Sequence, residues 1–402
     1  MKTSRLVAVP LLVSILLFSL TANAAAATCT RLANDFTLFN WNDVSKWDCG
    51  FVPGPTDIAV IPGQVDFFDP IANIALNEDI TLAGFVMAGG RIEGAYTITV
   101  TDEMLWSGGD LHYTNTAPFV SPSVVVIAPG ANLTVQIDAV TMSSRGKIIN
   151  EGTTLWKTGV YTSSPPTLDG ASGMFINNGT FRATASAATW NSTFENNGTI
   201  RIEPDGLAPV KIGTITNQGA LAVKNGALSA DLEQITGTTT LDRGMLQTQT
   251  FNPILLKGGR ITGSGIIDNE LINSGGVLAP IGVLRIDGFS PNNVLYTQGI
   301  SGTLEMSIGG IVRGAQYSSL TINGGADMNG TLDVNFTGGF TPDPDDGFII
   351  AACVNTCEGE FATNTSVLTI NYGASLYSLG AEVELHAPLL LPQILKIEEF
   401  QR

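Results

Sequence analysis

Acidic residues are the side chains of this chain that come nearest to a catalytic pattern. Carbohydrate cleavage commonly needs two carboxyl groups, or Ca²⁺ with a basic residue, on one solvent-facing surface. Adjacent strand residues point to opposite faces and surface acids are mostly solvated, so we interpret the acids as outer faces or turns and assign no catalytic residue. Stacked strands can still bring distant acids together beside an arginine. The acids and arginines concerned are Asp102, Glu103, Asp110, Asp231, Glu233, Asp268 and Glu270, with Arg91, Arg182, Arg201 and Arg260.

Histidine chemistry has little support in the sequence. His112 and His386 stand away from cysteines and carboxylate clusters, and no Gly-x-Ser-x-Gly turn accompanies them. In TPDPDDGF, the acids Asp343, Asp345 and Asp346 precede a glycine as in a Ca²⁺ loop, but the later bidentate glutamate is missing. The prolines favour an acidic β-turn, with Ca²⁺ as the alternative. We therefore predict no cofactor and no metal ligand.

The four cysteines form two local pairs, one near each end of the chain. Local pairs in an exported protein are typical of disulfides. We expect Cys29 to bond with Cys49, and Cys353 with Cys357. A Cys-x3-Cys metal or redox site is the alternative for the second pair, although no second cluster of ligands lies nearby in sequence.

The first 24 residues have the pattern of a secretory signal peptide. Lys2 and Arg5 precede an apolar run, and Ala22-Asn23-Ala24 supplies a cleavage motif. An uncleaved anchor is the alternative. We expect a secreted or cell-surface protein with no membrane-spanning segment in the mature chain, since no later apolar run is long enough. The formal net charge of −17 disfavours nucleic acid as a partner.

Short runs of alternating polar and apolar residues, bounded by Gly, Asn or Pro, predict many β-strands. A unit close to apolar-x-Asn-x-Gly recurs along them. Its first asparagine falls at five positions with gaps of 27, 19, 21 and 56 residues: Asn150, Asn177, Asn196, Asn217 and Asn273. The same letters form Asn-x-Ser/Thr sequons at several sites, but turn formation explains them better. A repeat of about 20 residues is typical of a solenoid.

The sequence therefore predicts an all-β fold, a largely parallel β-solenoid (β-helix), in preference to a sandwich of antiparallel hairpins. We divide it into a signal peptide (1–24), an N-terminal cap region (25–78), solenoid repeats (79–290), a β-rich C-terminal region (291–387) and a tail (388–402). Stacked asparagines can hydrogen-bond along such a sheet. We expect the side chains of Asn150, Asn177, Asn196 and Asn217 to line up, and Arg182 to lie over Arg201.

Several segments resemble bacterial exported β-helix surface proteins, such as filamentous adhesins and autotransporter-type passengers. The segments are LAGFVMAGGRIEGAYTITVTDEMLWSGGDL (82–111), GGRITGSGIIDNELINSGGVLAP (258–280), the tryptophan-containing opening at 40–63 and the glycine-rich part at 317–351. The resemblance does not extend to a membrane barrel. It implies a structural or adhesive surface protein that binds polysaccharide or packs into a matrix.

Two other functions fit the same predicted scaffold. A polysaccharide lyase or glycoside hydrolase would show three or more acids and an arginine on one stacked face, beside a groove. A carbohydrate-binding module would show a row of exposed aromatic residues, and only 7% of the chain is aromatic. Trp41 and Trp47 are interpreted as packing in the N-terminal cap, with sugar stacking as the alternative.

Overall fold

The computed structural model describes residues 26–32, 38–63, 73–111, 123–142, 146–163, 173–206, 208–288, 293–374 and 381–386. The predicted signal peptide (1–24), His112 and the segment predicted as a tail (388–402) lie outside these ranges. Within them the fold is all-β, and the one helical segment is a short 3-10 turn at Val44–Lys46. No helix in these ranges is long and apolar enough to span a membrane.

The described residues up to Lys224 form sixteen strands, which contain the alternating runs seen in the sequence. They are β1 Thr28–Thr30, β2 Leu38–Asn40, β3 Ile58–Ile61, β4 Asn73–Ala75, β5 Ile80–Glu93, β6 Thr97–Leu111, β7 Val124–Ile127, β8 Asn132–Met142, β9 Lys147–Asn150, β10 Thr153–Ser163, β11 Met174–Asn177, β12 Thr180–Ala183, β13 Thr189–Asn196, β14 Thr199–Ile202, β15 Val210–Asn217 and β16 Ala220–Lys224.

The second half continues in the same manner. Its strands are β17 Ala227–Gln234, β18 Thr238–Gln247, β19 Ile254–Leu256, β20 Arg260–Asp268, β21 Leu271–Asn273, β22 Val277–Pro280, β23 Val283–Asp287, β24 Val294–Gln298, β25 Thr303–Ile308, β26 Ser319–Ile322, β27 Gly325–Met328, β28 Thr331–Phe336, β29 Gly347–Cys353, β30 Cys357–Gly359, β31 Thr363–Asn364, β32 Thr369–Ala374 and β33 Ala381–His386.

The strands form one large, mostly parallel sheet with three series of pairings. The first series includes β7, β9, β11 and β21 and the second half of β13. The second includes β12, β14, β16, β22 and β25. The third includes β23, β26 and β29. These parallel pairings exclude the sandwich of antiparallel hairpins.

The core is a continuous set of apolar side chains that point inward from the strands. Short strands show strict alternation of buried and solvent-facing residues, as period-two patterning requires. Five buried aromatic residues contact one another near the middle of the chain: Trp156, Phe175, Phe181, Trp190 and Phe194. The rings of Phe175 and Phe194 stack with centroids 4.6 Å apart, because their strands pair in register.

A ladder of buried amides runs along the first series, as the sequence predicted. Asn177 lies between Asn150 and Asn196, and Asn217 follows. Each Nδ2 donates to the Oδ1 of the next asparagine, at 2.8, 2.7 and 2.6 Å in turn. The first three amides also donate to backbone carbonyls, each at 3.0 Å, and the acceptors are Thr180, Thr199 and Ala220 in turn. All four side chains are fully buried. The ladder thus satisfies polar groups that would otherwise be costly in the core.

The ladder extends further than the sequence indicated. Asn217 donates to Oε1 of Gln234 at 2.8 Å, so a glutamine takes the next position. Leu256 then interrupts the column before Asn273. At the other end, the position before Asn150 is occupied by Ile127, and the Oδ1 of Asn150 has no hydrogen-bond partner. The ladder therefore begins where the column changes from apolar to amide side chains.

A column of glycines accompanies the amides at the turn that follows each of them. A Cβ placed on Gly198 would lie 2.1 Å from the carbonyl oxygen of Gly179, and one on Gly219 would lie equally close to Gly198. The turns stack so tightly that only glycine fits. This packing explains why glycine recurs in the Asn-x-Gly unit.

Both predicted disulfides are present. Cys29 in β1 bonds to Cys49, with Cα atoms 5.2 Å apart. Beside this bond Trp41 and Trp47 are buried, and the Nε1 of Trp47 donates to the carbonyl of Trp41 at 2.9 Å. Their burial supports the packing interpretation over sugar stacking.

The second disulfide joins Cys353 at the end of β29 to Cys357 at the start of β30. It engages both sulfurs, so the metal alternative for this pair does not hold. Beyond it the direction of pairing changes, because β33 runs antiparallel to both β29 and β32. This antiparallel strand covers the last parallel strand of the third series.

Replacing Asn196 with Ala should destabilise the protein by about 3 kcal/mol. The substitution leaves the Nδ2 of Asn177 and the Oδ1 of Asn217 without their partners in the core. The matched control is Asn178→Ala, which removes an exposed amide contact to Asn197 and should change stability by less than about 0.5 kcal/mol. Urea unfolding gives the free energy of unfolding of both variants. Equal losses of stability would show that the buried ladder stabilises the protein no more than an exposed amide contact does.

Replacing Gly198 with Ala should cost about 3 kcal/mol or prevent folding, since the new methyl group meets a backbone carbonyl that cannot move alone. Gly54→Ala is the control, because its Cβ would meet nothing nearer than Asp57 Oδ2 at 3.8 Å. Thermal unfolding of the two variants tests the expectation. Similar melting temperatures would contradict the close stacking of the turns.

Candidate functional site

The outward surface of the second series is rich in threonine, and we call it the threonine face. Its first column, in register along the strands, is Asn132, Thr153, Thr180, Thr199, Ala220, Thr238, Arg260, Val277, Thr303, Thr331 and Thr363. Its second column holds the residues two positions later, namely Thr134, Leu155, Arg182, Arg201, Ala222, Thr240, Thr262, Ala279, Glu305, Asp333 and Thr365. All except Ala279 are at least partly exposed.

The threonine face is suited to hydrogen bonding with an extended partner. Each hydroxyl both donates and accepts, and parallel strands repeat it at about 4.8 Å along a column. Threonine is branched at Cβ, so its side chain loses little rotational freedom when it is bound. None of the positions in the two columns is aromatic. The row of exposed rings that a carbohydrate-binding module would show is therefore absent from this face.

The strongest charged contact of the threonine face joins Arg260 to Glu305. The guanidinium binds the carboxylate with two bonds, Nη1 to Oε2 at 2.8 Å and Nη2 to Oε1 at 2.5 Å. The bond to Glu305 raises the pKa of Arg260 above its ordinary value. Between the two strands lies β22, where the small side chain of Ala279 leaves room for the arginine to cross.

A second carboxylate completes this cluster. Asp333 pairs in register with Glu305, and its Oδ1 accepts from the hydroxyl of Thr365 at 2.7 Å. Two acids and an arginine therefore share one stretch of the threonine face. The sequence analysis missed Glu305 and Asp333. The signal was present in the matching runs TLEM and TLDV, which begin at Thr303 and Thr331.

The predicted stacking of two arginines is confirmed. Arg182 on β12 pairs in register with Arg201 on β14, and both are exposed. The Nε of Arg182 lies 2.9 Å from Oε2 of Glu203. Glu203, directly after β14, thus supplies an acidic partner to one member of this like-charged pair.

The other candidate acids are dispersed over the sheet. Asp102 and Glu103 are both exposed, contrary to the expectation of opposite faces. The reason is that β6 changes from the first series to the second at this point, and the strict alternation is lost there.

Asp231 and Glu233 lie on the first series and are occupied by local contacts. Asp231 accepts from the hydroxyl of Thr250 at 2.5 Å and from the backbone N–H of Gln249 at 3.2 Å. Glu233 forms an ion pair with Lys257. These carboxylates tie neighbouring strands and loops together.

The remaining acids lie on the third series or beside it. Asp110 pairs in register with Arg91, and Asp268 with Asp287. Arg285 donates to Asp287 at 2.9 Å, which places one cation beside that acid pair. Glu270 lies two residues after β20, and its backbone N–H donates to the Oδ1 of Asn269 at 2.8 Å.

The remaining sequence candidates show local contacts. His386 lies on β33 with its Nε2 3.0 Å from Oε2 of Glu384. The loop at 341–347 forms the expected turn, in which the backbone N–H of Asp343 donates to Asp346 at 2.8 Å and that of Asp346 donates back to the carbonyl of Asp343 at 3.0 Å. The described ranges contain no group of three or more His, Cys, Asp or Glu residues placed to hold a metal.

Comparison of the chain with protein-family models, with curated proteins and with solved structures finds no match. The functional interpretation therefore depends on the threonine face and on the fold that presents it.

A double-mutant cycle with Arg260→Gln and Glu305→Gln should give a coupling energy of about 0.5–1 kcal/mol, because both groups are partly exposed. The value should decrease as salt is added. Unfolding free energies of the two single variants and the double variant provide the measurement. A coupling energy near zero at low salt would contradict the bidentate contact.

Proposed function

We propose that this chain is an exported β-solenoid whose threonine face binds an extended polysaccharide at a cell surface or in an extracellular matrix. The observation that carries the proposal is the alignment of outward hydroxyls along the second series, from Thr153 to Thr363. Three series of parallel pairings, each continuing along the chain, support a solenoid. Two disulfides are compatible with an extracellular location.

The proposed partner follows from the chemistry of the face. A polysaccharide offers many hydroxyl and ring oxygens at regular intervals along an extended chain. A rigid column of threonines can bind several of them with little loss of conformational freedom. Protein partners more often meet aromatic and apolar residues, and these are scarce in the two columns.

A glycoside hydrolase or polysaccharide lyase is the second candidate. Glu305 and Asp333 favour it, because adjacent carboxylates beside Arg260 are the kind of group that such enzymes use. Against it, Glu305 is already bound by Arg260 and Asp333 by Thr365. We therefore place binding without cleavage first.

An array of polysaccharides tested with the chain that begins after Ala24 separates the two candidates. Bound protein and released sugar are scored together, with and without Ca²⁺. We expect binding without release of products. Cleavage that disappears in both Glu305→Gln and Asp333→Asn would establish the enzyme instead, and the absence of binding to any polymer would overturn the proposal.

Hydroxyl deletion on the threonine face provides the matched variant. Changing Thr180, Thr199 and Thr238 together to Val keeps the branched shape and removes three hydrogen-bonding groups. At about 1 kcal/mol each, binding should weaken roughly 100-fold. Thr214→Val with Thr216→Val, on the outward side of the first series, is the control. Equal effects of the two sets would place the binding surface elsewhere.

A further inference from the structure

Basic side chains gather in one section of the threonine face although the whole chain is strongly acidic, with a formal net charge of −17. Arg182 and Arg201 stand in register on adjacent strands. Lys157 on β10 and Lys224 on β16, both exposed, lie on the two flanking strands of the same series, two positions beyond the second column. Four cations therefore lie along four consecutive strands, β10, β12, β14 and β16.

This arrangement is unfavourable unless anions lie beside it, since like charges directly opposite each other on paired strands destabilise a sheet. Glu203 compensates in part, but its contact is with the Nε of Arg182 and occupies one of the five guanidinium donors. Arg182 is 51% exposed in its side chain. The pair of guanidinium groups therefore presents donors to solvent at the spacing of the strands.

Hydroxyls stand next to these donors. Thr180 precedes Arg182 by two residues and Thr199 precedes Arg201 by two residues, and Thr180 pairs with Thr199. Each strand thus presents a hydroxyl followed by a guanidinium, and the next strand repeats the arrangement at about 4.8 Å. A sugar that carries both hydroxyls and an acidic group on each repeat matches this alternation.

We infer that this section of the threonine face binds an anionic polysaccharide through its carboxylate or sulfate groups. The inference rests on the proposed function and specifies the class of polymer. Guanidinium is the side chain best suited to bidentate binding of such oxyanions. Acidic residues elsewhere on the chain oppose the approach only weakly, because charges beyond about 8 Å are screened at physiological salt.

Three polymers with one backbone test the inference: dextran, carboxymethyl dextran and dextran sulfate. We expect the two charged forms to bind more tightly than dextran, and their affinity to decrease with salt. Arg182→Gln combined with Arg201→Gln should weaken binding of the charged forms about tenfold for each arginine and leave dextran unaffected. A preference between the two charged forms identifies carboxylate or sulfate as the group recognised.

Arg285→Gln is the control, because Arg285 is 51% exposed like Arg182 but lies on the third series, where it donates to Asp287. Lysine at positions 182 and 201 keeps the charge but loses the bidentate geometry, so Arg182→Lys with Arg201→Lys should weaken binding less than the glutamine pair.

The outcomes separate the two proposals. Equal binding of dextran and its charged forms, or equal effects of the Arg285 variant and the double glutamine variant, would overturn the inference while the threonine variants still report on polysaccharide binding. If the unmodified protein binds neither the neutral nor the charged polymers, the proposed function is overturned as well.

Discussion

A buried primary amide is costly unless its oxygen and its N–H groups are hydrogen-bonded, and this cost organises the structure around the first series. Asn177 avoids it by accepting from Asn150 and donating to Asn196 and to the carbonyl of Thr199. A slip of one residue in any of these strands would turn the amide outward and leave its neighbours unsatisfied. The ladder therefore fixes which residues pair, and the adjoining glycine column fixes how closely the turns approach.

The register set by the ladder determines the surface as well as the core. Strands of the second series begin directly after the turn that follows a ladder asparagine. Alignment of Asn177 with Asn196 therefore places Thr180 opposite Thr199 and Arg182 opposite Arg201. The outward chemistry of the threonine face is thus a consequence of inward hydrogen bonds. The buried amides of this protein therefore contribute to the specificity of strand pairing in addition to stability.

Much of this arrangement could be predicted from the sequence, because the same residue types recur at the positions that stack on one another in successive strands. The asparagines and the two arginines were found in this way, and both disulfides were predicted from the local pairing of the cysteines. The role of Gln234 was not, since a different amide takes the place of asparagine. Glu305 and Asp333 were missed although they stand in the matching runs TLEM and TLDV, because the two acids differ in type and the strand pairing is what brings them together. Sequence spacing alone does not show where β6 changes from one series to the next and exposes both Asp102 and Glu103.

The amide ladder has a further consequence for how such a chain changes in length. Each asparagine of the ladder presents the same amide group to the next asparagine. A segment that runs from one asparagine up to the next, such as the 19 residues 177–195, can therefore be followed by another copy of itself with equivalent chemistry at the junction. A tandem duplication of that segment in the gene would add one more amide between two others and leave every hydrogen bond in place. Deletion would join two amides that already fit each other. The ladder thus makes length a quantity that evolution can adjust in whole steps, without redesign of the core.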